Sequence, residues 1–245
     1  MARSNRKQRE IEHRERLILE AGLKMLLEQG YLGLRMDQIA EQVEYSKGTV
    51  YQHFPNKEEI ILALANEALE QRSSLFAHAS MMRKKSRERL SAIGAAAEVF
   101  VEQFPHFFLV EQLMRINSVW EKTSEQRRKL MRTCETRCMT IVSGIVRDAI
   151  AHGDLDLPKG RTPEDLVFGL WSINTGAFAI ISSSDSLQEL GVTSPIGALR
   201  LNQDRILDGY NWTPLSSTVD YSSLIDTLKQ ELLKEEKFHT AEVKR

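Results

Sequence analysis

Apolar residues recur every three to four positions along almost the whole chain, and no run shows a convincing two-residue alternation. That spacing puts them on one side of a helix, so an all-α protein is predicted. Ile18, Ala21, Gly22, Met25 and Leu26 form the first stripe. Gly30 follows as a stop, because glycine accepts the left-handed backbone that closes a helix. A first helix over roughly residues 11–29 results. Met36, Ile39, Ala40 and Val43 suggest a short second helix, and a third begins after Ser46, a favoured N-cap residue, turning Val50 and Phe54 inward.

Pro55 stops the third helix, and Asn56 with Glu59 three positions on has the spacing of a capping box. Residues 1–56 therefore read as a compact three-helix domain with a basic N-terminal arm, and helix four, about 57–80, connects it to a larger helical bundle within 57–245. That body continues through SRERLSAIGAAAEVFVEQF, PHFFLVEQLMRINSVW and a long segment that closes at Gly153. TPEDLVFGLWSINTGAFAIISSS then opens with Thr162 and a proline at the first helical position. PIGALRLNQDRILDGY and a last helix around 221–237 follow, with a tail from His239 expected to fray. About nine or ten helices are predicted in all, with no repeat at a solenoid period.

Composition changes little. Hydrophobic residues make up 42% and charged residues 27%, ordinary for a globular chain with a core. The formal net charge of -1 advertises no affinity for nucleic acid, so any such function must come from a local patch. Runs such as AIGAAAEVFV and GAFAII fall short of the ~18–20 residues that span a bilayer. The charged N-terminus has no apolar core of a secretory signal. Two cysteines, Cys134 and Cys138, fit a reducing compartment. A cytoplasmic protein with no membrane association is expected.

The candidate chemistry sits in YSKGTVYQHFPNKEEI, residues 45–60. Two short helices meeting at EQVEYS form a helix-turn-helix, whose second helix enters the major groove of DNA. Gly48 and Thr49 are small enough for close approach; Thr49 can touch a base methyl and Gln52 can pair with adenine. Tyr51, His53 and Lys57 stand where phosphate contacts would fix register. The same polar face is also what a merely solvated helix presents.

The span from Ile18 to Leu64 resembles the TetR/AcrR family of bacterial one-component regulators. The resemblance rests on ILEAGLKMLLEQGY, MDQIAEQV and above all SKGTVYQHFPNKEEI, where Ser46, Lys47, Gly48, Thr49, Tyr51, Phe54 and Lys57 fall in the family's register. It implies a homodimer whose N-terminal helix-turn-helix binds palindromic double-stranded operator DNA and whose body binds a small effector. Two departures stand out. Glu44 occupies the inter-helix turn where the family usually has glycine, so either Glu44 takes a left-handed backbone or the turn differs. Arg35 replaces the usual hydroxyl residue that opens the second helix, and can make the same phosphate contact with more charge.

Residues 1–60 hold as many basic as acidic side chains, yet Arg3, Arg6, Lys7 and Arg9 precede the first acid. A disordered arm of this kind reaches DNA or merely solubilises the chain. Glu20, Glu28, Glu41, Glu58 and Glu59 must face away from DNA. In the body, Phe104, Phe107, Phe108, Met114, Trp120, Trp171 and Phe178 are the candidates to line a pocket for an apolar or amphipathic effector, though each taken singly reads as core. By the resemblance, Leu166, Leu170, Ile173, Ala177, Leu199 and Ile206 supply a four-helix dimer interface.

Cys134 and Cys138 share a helix face and read as small buried hydrophobes, with a redox sensor as the minor alternative. No P-loop, glycine-rich dinucleotide turn, nucleophile elbow or zincin histidine pair occurs, so neither an enzyme nor a cofactor or metal is expected. The expectation is a ligand-responsive DNA-binding regulator, most simply a repressor, with a helical protein-interaction module that does not read DNA as the alternative.

Overall fold

The computed structural model describes residues 2–242, with side chains described from Arg6 to Lys234. Eleven helices and no strand occur among the described residues. They are α1 (Ala2–Gly33), α2 (Met36–Gln42), α3 (Lys47–His53), α4 (Lys57–Ala79), α5 (Ser86–Gln103), α6 (Pro105–Leu113), α7 (Asn117–Trp120), α8 (Glu125–His152), α9 (Pro163–Ser183), α10 (Pro195–Gly209) and α11 (Tyr221–Glu242). Gly30 interrupts α1 with φ 70 and ψ -179, the left-handed break expected of it. The arm is helical from Ala2, where a disordered segment was expected; exposed pairs four residues apart, Arg6 with Glu10 and Gln8 with Glu12, run along it. The last helix runs to Glu242, beyond the predicted fraying point at His239.

The chain forms two compact units, and they do not divide at residue 56. The first comprises Met1–Glu70 and Pro105–Cys134, the second Gln71–Phe104 and Glu135–Arg245. In the first, Ile18, Met25 and Leu26 of α1 share one core with Ile39 of α2, Val50 of α3, and Ile60, Ile61 and Leu64 of α4. Val110, Met114, Val119 and Met131 belong to that core too, so the α6–α7 segment packs with the N-terminal helices. Gly22 allows α1 to close on α4: a Cβ there would stand 2.8 Å from Ile60 Cγ2.

In the second unit, α5 and α11 make the most extensive helix pair, with Ala92, Ile93, Ala96 and Val99 against Ile225, Leu228 and Leu232. Val142, Ile145, Val146 and Ala149 of α8 and Leu166, Val167 and Leu170 of α9 complete the core. Two guanidiniums are buried here. Arg87 pairs with Asp208 at 2.7 Å, donates to the Trp212 and Pro214 carbonyls and lies over the Tyr221 ring. Arg200 grips Glu98 with two bonds of 2.7 Å and reaches Asp226 at 2.8 Å. Burial pushes the Tyr221 hydroxyl up to about 12, although the Arg87 charge beside it opposes the shift.

Helix α9 bears on two expectations. Its 21 residues are long and apolar enough to cross a membrane by length and composition, with a mean hydropathy of 1.5 over 18 residues. Moreover, Leu166 and Leu170, expected at a dimer face, are only 4% and 7% exposed and lie in the unit's own core, as does Val167. Leu199 of α10 is likewise buried. Ile173, Ala177 and Ile206 are half-buried, and the large apolar residues of α9 that reach solvent are Phe168 at 59% and Ile180 at 56%. The helix is apolar all round, so spacing alone did not reveal which side meets its own core.

Candidate DNA-recognition site

The α2–α3 turn is built by the backbone. Tyr45 N–H donates to the Ala40 carbonyl at 3.1 Å and Glu44 N–H to Glu41 at 3.2 Å, closing α2 around Glu44 at φ 57. This is the left-handed closure that glycine usually supplies, made here by a glutamate at a cost of roughly 1–2 kcal/mol. Ser46 then caps α3: its Oγ accepts the Thr49 N–H at 3.1 Å and lies 2.8 Å from Thr49 Oγ1.

One residue of α3, Val50, is buried, and it anchors the helix to the core. Lys47, Gly48, Tyr51 and Gln52 are exposed and Thr49 is half-exposed, so the predicted reading residues stand together on the open side. Lys47 lies 3.7 Å from Asp37, a loose pair between exposed side chains that leaves its ammonium available. A Cβ at Gly48 would find only Ser46 Oγ, at 3.8 Å, so the fold itself does not require glycine there. Arg35 is exposed at the start of α2, and its side chain makes no cap bond.

Two residues predicted at phosphates, His53 and Lys57, have partners within the chain. The His53 side chain is 11% exposed and its Nδ1 lies 3.4 Å from Glu15 of α1. Lys57 Nζ donates to the Tyr31 carbonyl at 2.9 Å and sits 4.2 Å from the centre of the Tyr31 ring. Both side chains thus brace α3 and α4 against α1.

Beneath the helix-turn-helix lies a buried polar base that periodicity did not reveal. Glu58 is 5% exposed; it accepts from the Tyr31 hydroxyl at 2.8 Å and pairs with Lys122 at 3.1 Å. Burial pushes this carboxyl up, but the Tyr31 bond, a backbone bond and Lys122 outweigh it and hold Glu58 below the ordinary glutamate value. Tyr31 is raised to about 12 by burial and by its bond to Glu58. Glu59, as deeply buried, accepts from the Ser124 N–H and pairs with Arg127 at 3.0 Å, while Arg127 lies over the Phe54 ring at 4.9 Å. Asn56 takes the Glu59 N–H at 2.9 Å, as its capping spacing predicted, and also donates to the Lys122 carbonyl. Of the five acids expected to face away from DNA, Glu58 and Glu59 point inward, while Glu20, Glu28 and Glu41 are exposed.

The candidate effector residues fall in both units. Phe107, Phe108, Met114 and Trp120 lie in the first, where Met114 is core and Trp120 packs against that core beneath the Arg128 guanidinium. Phe104, Trp171 and Phe178 lie in the second, with Phe178 buried and Trp171 edge-on to Phe168 at 6.2 Å. A cleft of about 440 Å³ also opens in the second unit, lined largely by polar side chains that include Arg200, Asp204, Arg205, Ser216 and Tyr221. Cys134 is buried and donates to Glu70 at 3.1 Å; Cys138 is buried as well. No cluster of three or more metal-ligating side chains occurs among the described residues.

A capped, solvent-facing polar helix, set after a tight turn on a shared core, defines a helix-turn-helix DNA-binding protein. Residues 18–64 match the model of the bacterial regulatory proteins of the tetR family. Those residues belong to that family, and the chain that carries them is a helix-turn-helix transcription regulator. The chain is 24% identical over 187 residues to the fatty acid metabolism regulator protein of Bacillus subtilis, covering 72% of this chain and 92% of the relative. Among solved structures it is similar to the TetR-family regulator PfmR from Thermus thermophilus, with a TM-score of 0.59, 19% identity, and coverage of 78% of this chain and 97% of that one. It is also similar to the regulator FadR of Bacillus subtilis solved with stearoyl-CoA, with a TM-score of 0.57, 16% identity, and coverage of 77% and 95%.

Proposed function

We propose that two copies of this chain read a palindromic operator through α3, with Lys47, Gly48, Thr49, Tyr51 and Gln52 at the DNA, and that a small effector releases them, so that the protein is a repressor. The observation that carries the reading is α3 itself: a helix capped by Ser46, held by one buried side chain, with Lys47, Gly48, Tyr51 and Gln52 exposed and Thr49 half-exposed. Arg35 adds a phosphate contact, while His53 and Lys57 act as braces. The outer side of α9, with Phe168 and Ile180, is the surface for the second copy. Two recognition helices must stand about 34–36 Å apart to meet successive major grooves, which only a dimer provides.

The effector is amphipathic, and a long-chain acyl-CoA is the first class to test, since the similar Bacillus subtilis protein is a regulator of fatty acid metabolism. Phe104, Trp171 and Phe178 of the second unit are the aromatic candidates to hold its apolar part. Release requires the effector to bind the non-reading arrangement more tightly than the reading one; equal affinity for both shifts nothing.

The test is fluorescence anisotropy of the purified chain on duplex DNA from upstream of its own gene, beside scrambled DNA, across a salt series. A preference of about 10³-fold or more with steep salt dependence is expected. Addition of palmitoyl-CoA, but not free CoA, should then lower operator affinity. Equal, weak binding to both DNAs, repeated with duplexes selected from random sequence, would move the protein to the class of helical interaction modules.

A further inference from the structure

Helix α1 begins long before the module that needs it. Its first buried residue is Ile18, which is also the first residue matched by the family model, so the turns before it lie outside the core they lead into. Arg6, Lys7, Gln8, Arg9 and Glu10 are all exposed, and Ile11, Arg14, Glu15 and Leu17 are only half-buried. A helix this length without packing is marginal in water. Its pairs, Arg6–Glu10 at 3.3 Å and Arg16–Glu20 at 3.7 Å, join exposed side chains and contribute little to holding it. The first turn holds no acid, the opposite of the charge that a helix N-terminus favours, so the basic residues are not there to support the helix.

We propose that this exposed stretch of α1 is a second DNA contact, a basic rod that lies along the phosphate backbone flanking each half-site. The inference rests on the operator reading above and extends it. The placement comes from His53: at the C-terminal end of the recognition helix, its ring meets Glu15 of α1 at 3.4 Å. From that crossing the helix rises about 1.5 Å per residue, which sets Arg9 and Arg6 roughly 9 and 14 Å further along its axis. Duplex DNA carries a charge every ~1.7 Å of axis, so a rod of this length leaving the edge of the reading helix passes several phosphates. Lys7, Ile11, Arg14 and Ile18, spaced by four, three and four residues, share one face, so Lys7 and Arg14 continue the face by which α1 meets its own module, while Arg6 and Arg9 stand on the exposed sides of the same turns, roughly 120° and 180° round the helix axis from Ile18. Glu12 is engaged by Gln8 at 3.0 Å and Glu10 by Arg6, and a pair as exposed as the latter yields readily to a phosphate.

The experiment compares the full-length chain with a full-length Arg6→Gln/Lys7→Gln/Arg9→Gln variant, in which glutamine keeps the helix propensity and removes the charge. Each is titrated, across a salt series, onto a duplex recovered by selection from random DNA, once with about one helical turn of flanking sequence on each side and once trimmed to the half-sites. On the flanked duplex the variant should bind roughly ten- to hundredfold more weakly, and its salt slope should fall by about 0.9 for each phosphate it no longer neutralises. On the trimmed duplex the two proteins should bind alike, with matching helix content by circular dichroism. Equal affinity and equal slope on the flanked duplex would overturn the proposal while leaving the helix-turn-helix reading intact. If the unmodified chain selects no duplex at all, the operator reading itself fails and the rod falls with it.

Discussion

The first unit buries carboxylates without a buried cation, whereas the second buries guanidiniums, one of them together with the Glu98 carboxylate. Glu58 and Glu59, each 5% exposed, meet cations that reach in from outside, Lys122 at 59% exposure and Arg127 at 25%. Arg87, at 0%, and Arg200, at 8%, are instead themselves enclosed, Arg87 against Asp208 at 18% and Arg200 against Glu98 at 5%. A buried charge costs several kcal/mol in lost hydration and needs a partner in either unit, but breaking the partnership has a different outcome in each. Water can reach Glu58 from the side of Lys122, whereas nothing replaces Arg87 inside its ring of carbonyls and Asp208. The second unit is stapled; the base beneath the helix-turn-helix is clamped from the surface.

The largest effect expected from this contrast is in the staple. Arg87→Met should destabilise the chain by about 3–5 kcal/mol, because Asp208 and the Trp212 and Pro214 carbonyls lose a partner they cannot exchange for water. Urea denaturation monitored by circular dichroism measures it, and a loss below about 1 kcal/mol would erase the distinction between the units. Glu58→Gln should cost less, about 1 kcal/mol at neutral pH, since an amide still accepts the Tyr31 bond but gives up its charge.

The pH dependence sharpens the point. Glu58 is held below its ordinary value in the folded chain, so its contribution is present above about pH 4.3 and is lost as pH falls through the folded value. Stability of the unmodified chain should therefore decline more steeply on the acid side than that of the Glu58→Gln variant. Parallel acid limbs would show that Lys122 and Tyr31 do not discriminate between the charged and neutral carboxyl. The smallest effect is at the turn: Glu44→Gly should stabilise the first unit by less than about 1 kcal/mol, because the relief of a left-handed glutamate is offset by the freedom that glycine adds to the unfolded chain. A decrease in stability would mean that the Glu44 side chain holds the turn in some other way.

What the sequence disclosed and what it hid divide along chain distance. Gly30, Ser46, Asn56 and Thr162 act on backbone groups within a few residues, and each ends or starts its helix as its chemistry predicts. The exposed residues of α3 were legible for the same reason, since Val50 and Phe54 alone fixed which side faced inward. The polar base was not, because Lys122 and Ser124 meet Glu58 and Glu59 across 64 and 65 residues, and a spacing rule has no reach of that kind. Nor was the grouping of α6 and α7 with the N-terminal helices, which depends on the same distant partners and on Val110 and Met114. At α9 the spacing found a true face, Leu166 with Leu170, but with apolar residues on every side it offered nothing to say which face was already covered.

Gly48 has a consequence for altering what the protein reads. It is the second residue of a capped helix, its backbone is ordinary, and the space beside it is open. The scaffold therefore sets no limit on the side chain at that position; any limit comes from what lies against α3 from outside. A library randomised at Gly48, Thr49 and Gln52 would keep its fold in nearly every member, so a screen for new operator sequences would sort variants by recognition alone, without first losing most of them to misfolding.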